Sequence, residues 1–115
     1  MYQMVIILPA NLDLKLFDEK WPHFLEAAEQ MPGLIQESVT RFDQVLFGSS
    51  EIKRLYTFSF KDRPSLENAL TSPSGEKAGD ILHSIAGGKI TILSGDYQTD
   101  SLDRIQSFSS APEER

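Results

Sequence analysis

The spacing of apolar and polar residues changes several times along the chain, and each change predicts a new element of secondary structure. The run from Tyr2 to Leu8 is apolar and rich in β-branched residues, which is typical of a central strand covered on both faces. After Asp13, a potential helix cap, apolar residues recur at helical spacing. They are Leu14, Phe17, Trp21, Phe24, Leu25 and Ala28. This stripe predicts an amphipathic helix that ends near Met31 and is kinked at Pro22, which cannot donate a backbone hydrogen bond.

The middle of the chain alternates with the period of two that is expected of strands. Residues 35–47 alternate loosely, residues 48–50 (Gly-Ser-Ser) form a turn, and residues 52–60 alternate again. Two such runs around a turn predict a β-hairpin.

Two helical pieces and a last strand complete the pattern. A short helix opens at Arg63-Pro64, and Ser72-Pro73 begins a longer one with proline in its first turn, where a missing N–H costs nothing. The longer piece carries one apolar stripe of Ala78, Ile81, Leu82 and Ile85. Residues 87–88, both glycine, end this helix, and residues 89–96 form the last strand. The predicted order is βαββαβ, an α+β arrangement in which helices cover one face of an antiparallel sheet.

The other face of the sheet also needs a cover. In the strand predicted at residues 52–60, the two faces alternate along the second half of the strand. One carries Tyr56, Phe58 and Phe60, and the other carries Leu55, Thr57 and Ser59. Neither set is charged, as a fully solvated face would be. A second copy of the chain is the simplest cover, so we expect a homodimer.

Composition narrows the possible partners. The 115 residues suffice for one domain, which we place at residues 1–98, followed by a polar, partly ordered tail at 99–115. Seventeen acidic and eleven basic residues give a net charge of −6, so we expect no nucleic acid and no membrane as partner. The sequence has no cysteine, which fits the reducing cytoplasm.

The two histidines are candidates for acid–base chemistry. A helix turns by about 100° per residue, which places His23 and His83 away from the apolar stripes of their helices, so both are expected to face solvent. The kink at Pro22 leaves His23 a weak catalytic candidate. A metal site needs about three convergent ligands, and no such cluster is present in the sequence. We therefore expect no metal and no cofactor.

Aromatic side chains offer a binding site instead. Phe17, Trp21 and Phe24 on the first helix and Tyr56 on the hairpin are either core residues or the lining of a ligand pocket. Arg41 is the lone cation of its predicted strand and a candidate anchor for a ligand carboxylate or enolate. The alternative for Arg41 is an ion pair with a neighbouring acid, Glu37 or Asp43.

Two blocks of the sequence resemble the EthD family. In residues 70–96 a small-residue helix start runs through glycines into a strand, and in residues 17–34 the segment Met-Pro-Gly-Leu closes a long helix and starts a strand. The resemblance implies a ferredoxin-like fold that dimerises into an α+β barrel and holds ligands between helix and sheet. Family members commonly carry a histidine in the first helix shortly before the Pro-Gly pair. Alignment on Pro32-Gly33 puts Phe24 there and leaves His23 one position away.

Three functions remain open from the sequence. The first is a cofactor-free enzyme acting on a small hydrophobic aromatic or keto intermediate of catabolism or biosynthesis. The second is a homodimeric binding protein without a catalytic base, which Phe24 favours. The third is a structural dimer whose pocket is filled by its own side chains. A cavity lined by Trp21, Phe24 and Tyr56 separates the first two from the third, and a titratable group inside it separates the first from the second.

Overall fold

The computed structural model describes residues 1–12, 14–49, 51–86 and 89–100. Within these ranges the elements follow the predicted order. They are β1 (Tyr2–Pro9), α1 (Leu14–Ala28), β2 (Gln36–Arg41), β3 (Ile52–Phe60), α2 (Arg63–Leu70), α3 (Pro73–Ala86) and β4 (Thr91–Asp96). The predicted cap Asp13, the glycines at 87–88 and the tail from residue 101 lie outside the described residues. No helix in these ranges is long and apolar enough to cross a membrane.

The strands form one antiparallel sheet in the order β2-β3-β1-β4. β1 pairs with β3 on one side and with β4 on the other, which confirms that the first strand is central. β2 pairs with β3 as the predicted hairpin. Gly33, at φ 83°, supplies the left-handed turn between α1 and β2. This strand order, with the helices on one face, is the ferredoxin-like α+β fold.

The prediction that the second strand extends to Phe47 is wrong. β2 ends at Arg41, and one further backbone hydrogen bond, donated by Phe42 N to the Lys53 carbonyl at 3.0 Å, extends the hairpin. Three consecutive apolar residues, 45–47, interrupt the alternation that a half-buried strand requires. Residues 42–49 instead form an exposed segment that turns at Gly48, where φ is 82°. We call this segment the apolar arm.

The core lies between the sheet and the helices α1 and α3, which pack on each other. It contains most of the predicted helical stripes and the inward face of the two central strands, and Leu25 and Ile81 pack against it partly buried. Its larger members are Met4, Ile6, Leu8, Phe17, Trp21, Phe24, Tyr56, Phe58, Phe60, Leu82 and Ile85. α1 continues through Pro22 to Ala28 as one helix.

The two predicted helical pieces are separate helices, each with its own cap. A backbone N–H of the first turn of α2 donates to Asp62 Oδ1 at 2.9 Å. The N–H of Gly75 donates to Ser72 Oγ at 3.1 Å at the start of α3. Gly75 lies against the end of α2, where a Cβ would overlap the carbonyl oxygen of Ala69 and lie 2.9 Å from Leu70 Cα. The break between the helices therefore depends on a residue without a side chain.

The sheet face opposite the helices, which we call the open face, is uncharged along its paired length. It carries Gln3, Val5, Ile7, Gln36, Ser38, Thr40, Leu55, Thr57, Ser59, Thr91 and Leu93. Four of its polar side chains bond in pairs: Gln3 Nε2 donates to Ser59 Oγ at 3.2 Å, and the hydroxyls of Ser38 and Thr57 lie 2.7 Å apart. Another surface can bury these two pairs without leaving either without a hydrogen-bond partner.

Candidate ligand-binding site

Four aromatic side chains from α1 and β3 lie together between helix and sheet. The ring of Trp21 is at their centre, with its centroid 4.8 Å from that of Phe17, 4.6 Å from that of Phe24 and 4.6 Å from that of Tyr56. The helical spacing of the first three residues puts them on one face of α1, above the strand that carries the fourth. The structure thus brings together four of the five predicted ligand-binding residues. We call these four residues the aromatic cluster.

The rings of the aromatic cluster contact one another directly. Their separations and tilts are those of stacked and tilted aromatic pairs, and all four side chains are buried. Three cavities in the described part of the chain lie elsewhere, beside the apolar arm, at the start of α3 and at the end of β4. In this conformation the aromatic side chains themselves occupy the space between α1 and the sheet.

The indole nitrogen of Trp21 is unusual among the polar atoms of the described chain. Nε1 is buried and has no hydrogen-bond partner there. A buried donor without an acceptor costs about 1–3 kcal/mol of stability. An acceptor atom on a bound molecule would recover this energy, so the cluster holds one unused polar contact within apolar surroundings.

The structure places a different arginine beside the cluster from the one predicted. Arg41 is exposed at the end of β2 and, in the described part of the chain, forms no ion pair with Glu37 or Asp43. Its register partner is Arg54, whose Cζ lies 5.4 Å from the centre of the Phe17 ring, within cation–π range. The sequence could have indicated this position of Arg54, because the alternation of residues 52–60 puts residue 54 on the same face as Tyr56.

Both histidines face solvent, as predicted. His23 is exposed while its neighbour Phe24 is 2% exposed, and His83 is exposed on α3. The inward position of α1 is therefore occupied by phenylalanine. Within the described ranges, no group of three or more histidine, aspartate or glutamate side chains is arranged to hold a metal ion.

A pair of carboxyl groups that the sequence did not suggest lies near the cluster. Glu37 on β2 is opposite Phe58 in the sheet, and the Phe58 ring meets that of Phe24 edge-on at 6.1 Å. Partial burial, together with a hydrogen bond to the Glu29 carboxyl and repulsion by its charge, raises the pKa of Glu37 from 4.5 to about 7. The turn between α1 and β2 brings the two acids together, and no short-range spacing rule reveals such a pair.

This pair predicts a pH dependence of stability. The raised pKa means that between pH 4.5 and about 7 folded Glu37 keeps a proton that the unfolded chain releases. The contribution of Glu37 is therefore fully present below pH 4.5 and is lost as the pH rises through 7. Urea unfolding across this range should show a smaller fall in stability for Glu37→Gln than for wild type. The exposed Glu19→Gln on α1 is the matched control, and an equal fall in wild type and Glu37→Gln would contradict the assignment.

Solved structures share this fold. The chain is similar to an EthD family protein from Bacillus halodurans, with 23% identity, coverage of 85% of this chain and 99% of that one, and a TM-score of 0.76. The chain has the fold of an EthD family protein. No protein-family model matches the sequence, and no curated protein is similar to it in sequence.

Two further neighbours show how varied the proteins of this shape are. The cofactor-independent oxygenase SnoaB from Streptomyces nogalater is 13% identical, covers 88% of this chain and 95% of that one, and has a TM-score of 0.61. A dimeric ferredoxin-like protein of unknown function from Jannaschia sp. CCS1 is 17% identical, covers 84% and 97%, and has a TM-score of 0.60. At these identities the likeness establishes the fold, and function has to be argued from the residues.

Proposed function

We propose that this chain is a homodimeric protein that binds a small hydrophobic molecule, aromatic or keto in character, at the aromatic cluster. The observation that carries the proposal is the buried, unpaired Nε1–H of Trp21 among aromatic rings. Flat apolar surfaces with one directed donor match a ligand that has an aromatic body and a single acceptor oxygen. One neighbour of the same fold is a cofactor-independent oxygenase, so the fold accommodates chemistry that needs no cofactor.

Arg54 lies beside the aromatic cluster. It is half-buried, and its Cζ lies 5.4 Å from the centre of the Phe17 ring. Since the rings contact one another in the free protein, a ligand has to separate them, and Arg54 is a half-buried side chain beside them. Arg54 then replaces Arg41 as the candidate polar anchor at the rim of the site.

The homodimer follows from the open face. Its side chains are uncharged along its paired length, and Thr57 and Ser59 are only 9% and 4% exposed before any partner is added. Two copies that pack these faces together would cover both, with Lys53 at the end of the face, beside the apolar arm, as its charged residue. The dimeric ferredoxin-like neighbour from Jannaschia supports this assembly.

Catalysis at the site would need a proton-transferring group. Both histidines lie outside the cluster, whereas Glu37 is next to it in the sheet and titrates near neutral pH, with a pKa of about 7. Of these three groups Glu37 is therefore the candidate for proton transfer, at a position opposite Phe58 and outside the aromatic cluster.

The direct contacts between the rings favour one competing function, a structural dimer whose core is simply complete. The two functions differ in how Trp21 responds to an added ligand. Because Trp21 is the single tryptophan of the chain, its indole N–H gives one resolved signal in a ¹⁵N correlation spectrum. We would titrate this signal with 1-tetralone, an aromatic ketone, and with tetralin, which has the same ring skeleton without the oxygen.

We expect 1-tetralone to shift the indole signal and to bind about three- to tenfold more tightly than tetralin, because one hydrogen bond contributes about 0.5–1.5 kcal/mol. Trp21→Phe removes the donor and should make the two affinities equal. Tyr97→Phe, at the exposed end of the sheet, is the control that should change neither. An indole signal that neither compound moves at millimolar concentration would favour the structural dimer and contradict binding.

A further inference from the structure

The apolar arm exposes more hydrophobic surface than a free segment of a small protein normally does. Leu46 is 87% exposed and Phe47 is 97% exposed, and Val45 and Phe42 are also exposed. Single exposed apolar residues are ordinary, but a contiguous group of them marks an interaction surface. The arm is therefore a candidate interaction surface.

The arm and the open face form one continuous surface. The backbone hydrogen bond from Phe42 to Lys53 continues the ladder of β2 and β3 into the arm. A cavity of about 380 Å³ lies at this junction, lined mainly by apolar side chains. They are Phe42, Val45, Ile52 and Leu55, beside the polar side chains of Asp43, Gln44 and Lys53, and Leu55 belongs to the open face.

The arm would enlarge the interface that the open face offers. Four strands about 4.8 Å apart, paired over six to eight residues at about 3.3 Å per residue, present a flat footprint of about 400–500 Å², before the relief of the side chains is counted. A stable interface buries about 800 Å² of accessible surface on each partner. The adjoining arm is exposed apolar surface that can add to the area of the open face.

We propose that the apolar arm of each protomer packs against the second copy and closes the dimer that the open faces begin. This inference rests on the homodimer of the proposed function and adds to it a second, separable contact. A second copy is the occupant that the dimeric ferredoxin-like neighbour supports, and a two-fold interface uses the same patch on both partners. The arm and the open face are such a single patch.

The energetic test places charge on the arm. Sedimentation equilibrium of Leu46→Glu/Phe47→Glu should show dimerisation weakened by about 100-fold, since burial of each side chain contributes roughly tenfold or more. Both residues are exposed in the single chain, so the variant should keep the wild-type circular dichroism. Asn68→Glu, exposed on α2 away from both surfaces, is the control and should dimerise like wild type.

The contact itself can be tested by labelling, because the chain has no cysteine of its own. Phe47→Cys should react with iodoacetamide at least tenfold more slowly at concentrations where the protein is a dimer than after dilution to the monomer. Asn68→Cys should react equally at both concentrations.

These experiments distinguish a failure of the homodimer from a failure of the arm contact. A wild-type protein that stays monomeric at every concentration would overturn the homodimer and the arm contact together. A dimer in which Phe47→Cys reacts at the monomer rate, or which tolerates the double glutamate variant, would overturn the arm contact and leave the homodimer of the open faces in place. In that case the arm would be open to a different protein.

Discussion

Replacing Phe24 by alanine should lower the free energy of unfolding by about 3–5 kcal/mol, the usual cost of removing a buried phenylalanine side chain. Phe24 is 2% exposed. Its ring lies 4.6 Å from that of Trp21 and meets Phe58 edge-on at 6.1 Å. The truncation therefore leaves a cavity between α1 and the sheet that the neighbouring rings can fill only in part. Thermal or urea unfolding followed by circular dichroism measures the change.

The neighbouring histidine is the matched control for this substitution. His23→Ala, at an exposed position one residue away, should change the unfolding free energy by less than about 0.5 kcal/mol. Together the two variants test which residue of α1 points inward. A small effect at Phe24 with a large one at His23 would mean that the helix is rotated, and that the histidine expected from the EthD resemblance is in the site after all.

Replacing Gly75 by alanine should lower the unfolding free energy by about 3 kcal/mol, at the upper end of the range for overpacking. The added Cβ would meet the backbone of α2 at Ala69 and Leu70, and backbone atoms cannot move aside as a flexible side chain can. The start of α3 would have to shift, which would also disturb the Ser72 cap. Urea unfolding monitored through the fluorescence of Trp21 follows the loss.

Gly79→Ala is the control, because the same substitution at this position should have the opposite effect on stability. It lies in the same helix, and a Cβ there would meet nothing within 4 Å. Gly79→Ala should therefore raise stability by about 0.5–1 kcal/mol through helix propensity alone. If both alanine variants stabilise the protein to the same extent, the close packing of α2 against α3 is incorrect.

The sequence predicts the fold well because the fold depends on periodicity. The stripe of Trp21 and Phe24 on α1 and the alternation around Tyr56 on β3 each determine which side of their element is buried, and together they build the aromatic cluster. The end of β2 could not be predicted from the sequence. The apolar run at residues 45–47 lacks alternation, so it is equally compatible with a buried strand and with an exposed segment that binds another surface.

The details of the site depend on contacts that no local pattern records. Arg41 and Arg54 face each other across two strands, and only the three-dimensional arrangement shows that Arg54 is the one over Phe17. The Glu29–Glu37 pair forms across a turn, and the unpaired nitrogen of Trp21 reflects which acceptors are missing around it. Each of these features depends on residues that only the folded chain brings together.

Native mass spectrometry of the purified protein, before and after incubation with 1-tetralone, tests the central claim most directly. A homodimer that binds a small hydrophobic molecule predicts a species of twice the 12.9 kDa chain mass. This species should carry a copurified small molecule or take up one 1-tetralone per chain. A monomer at every concentration, or a dimer that carries no small molecule and takes up none, would contradict the account.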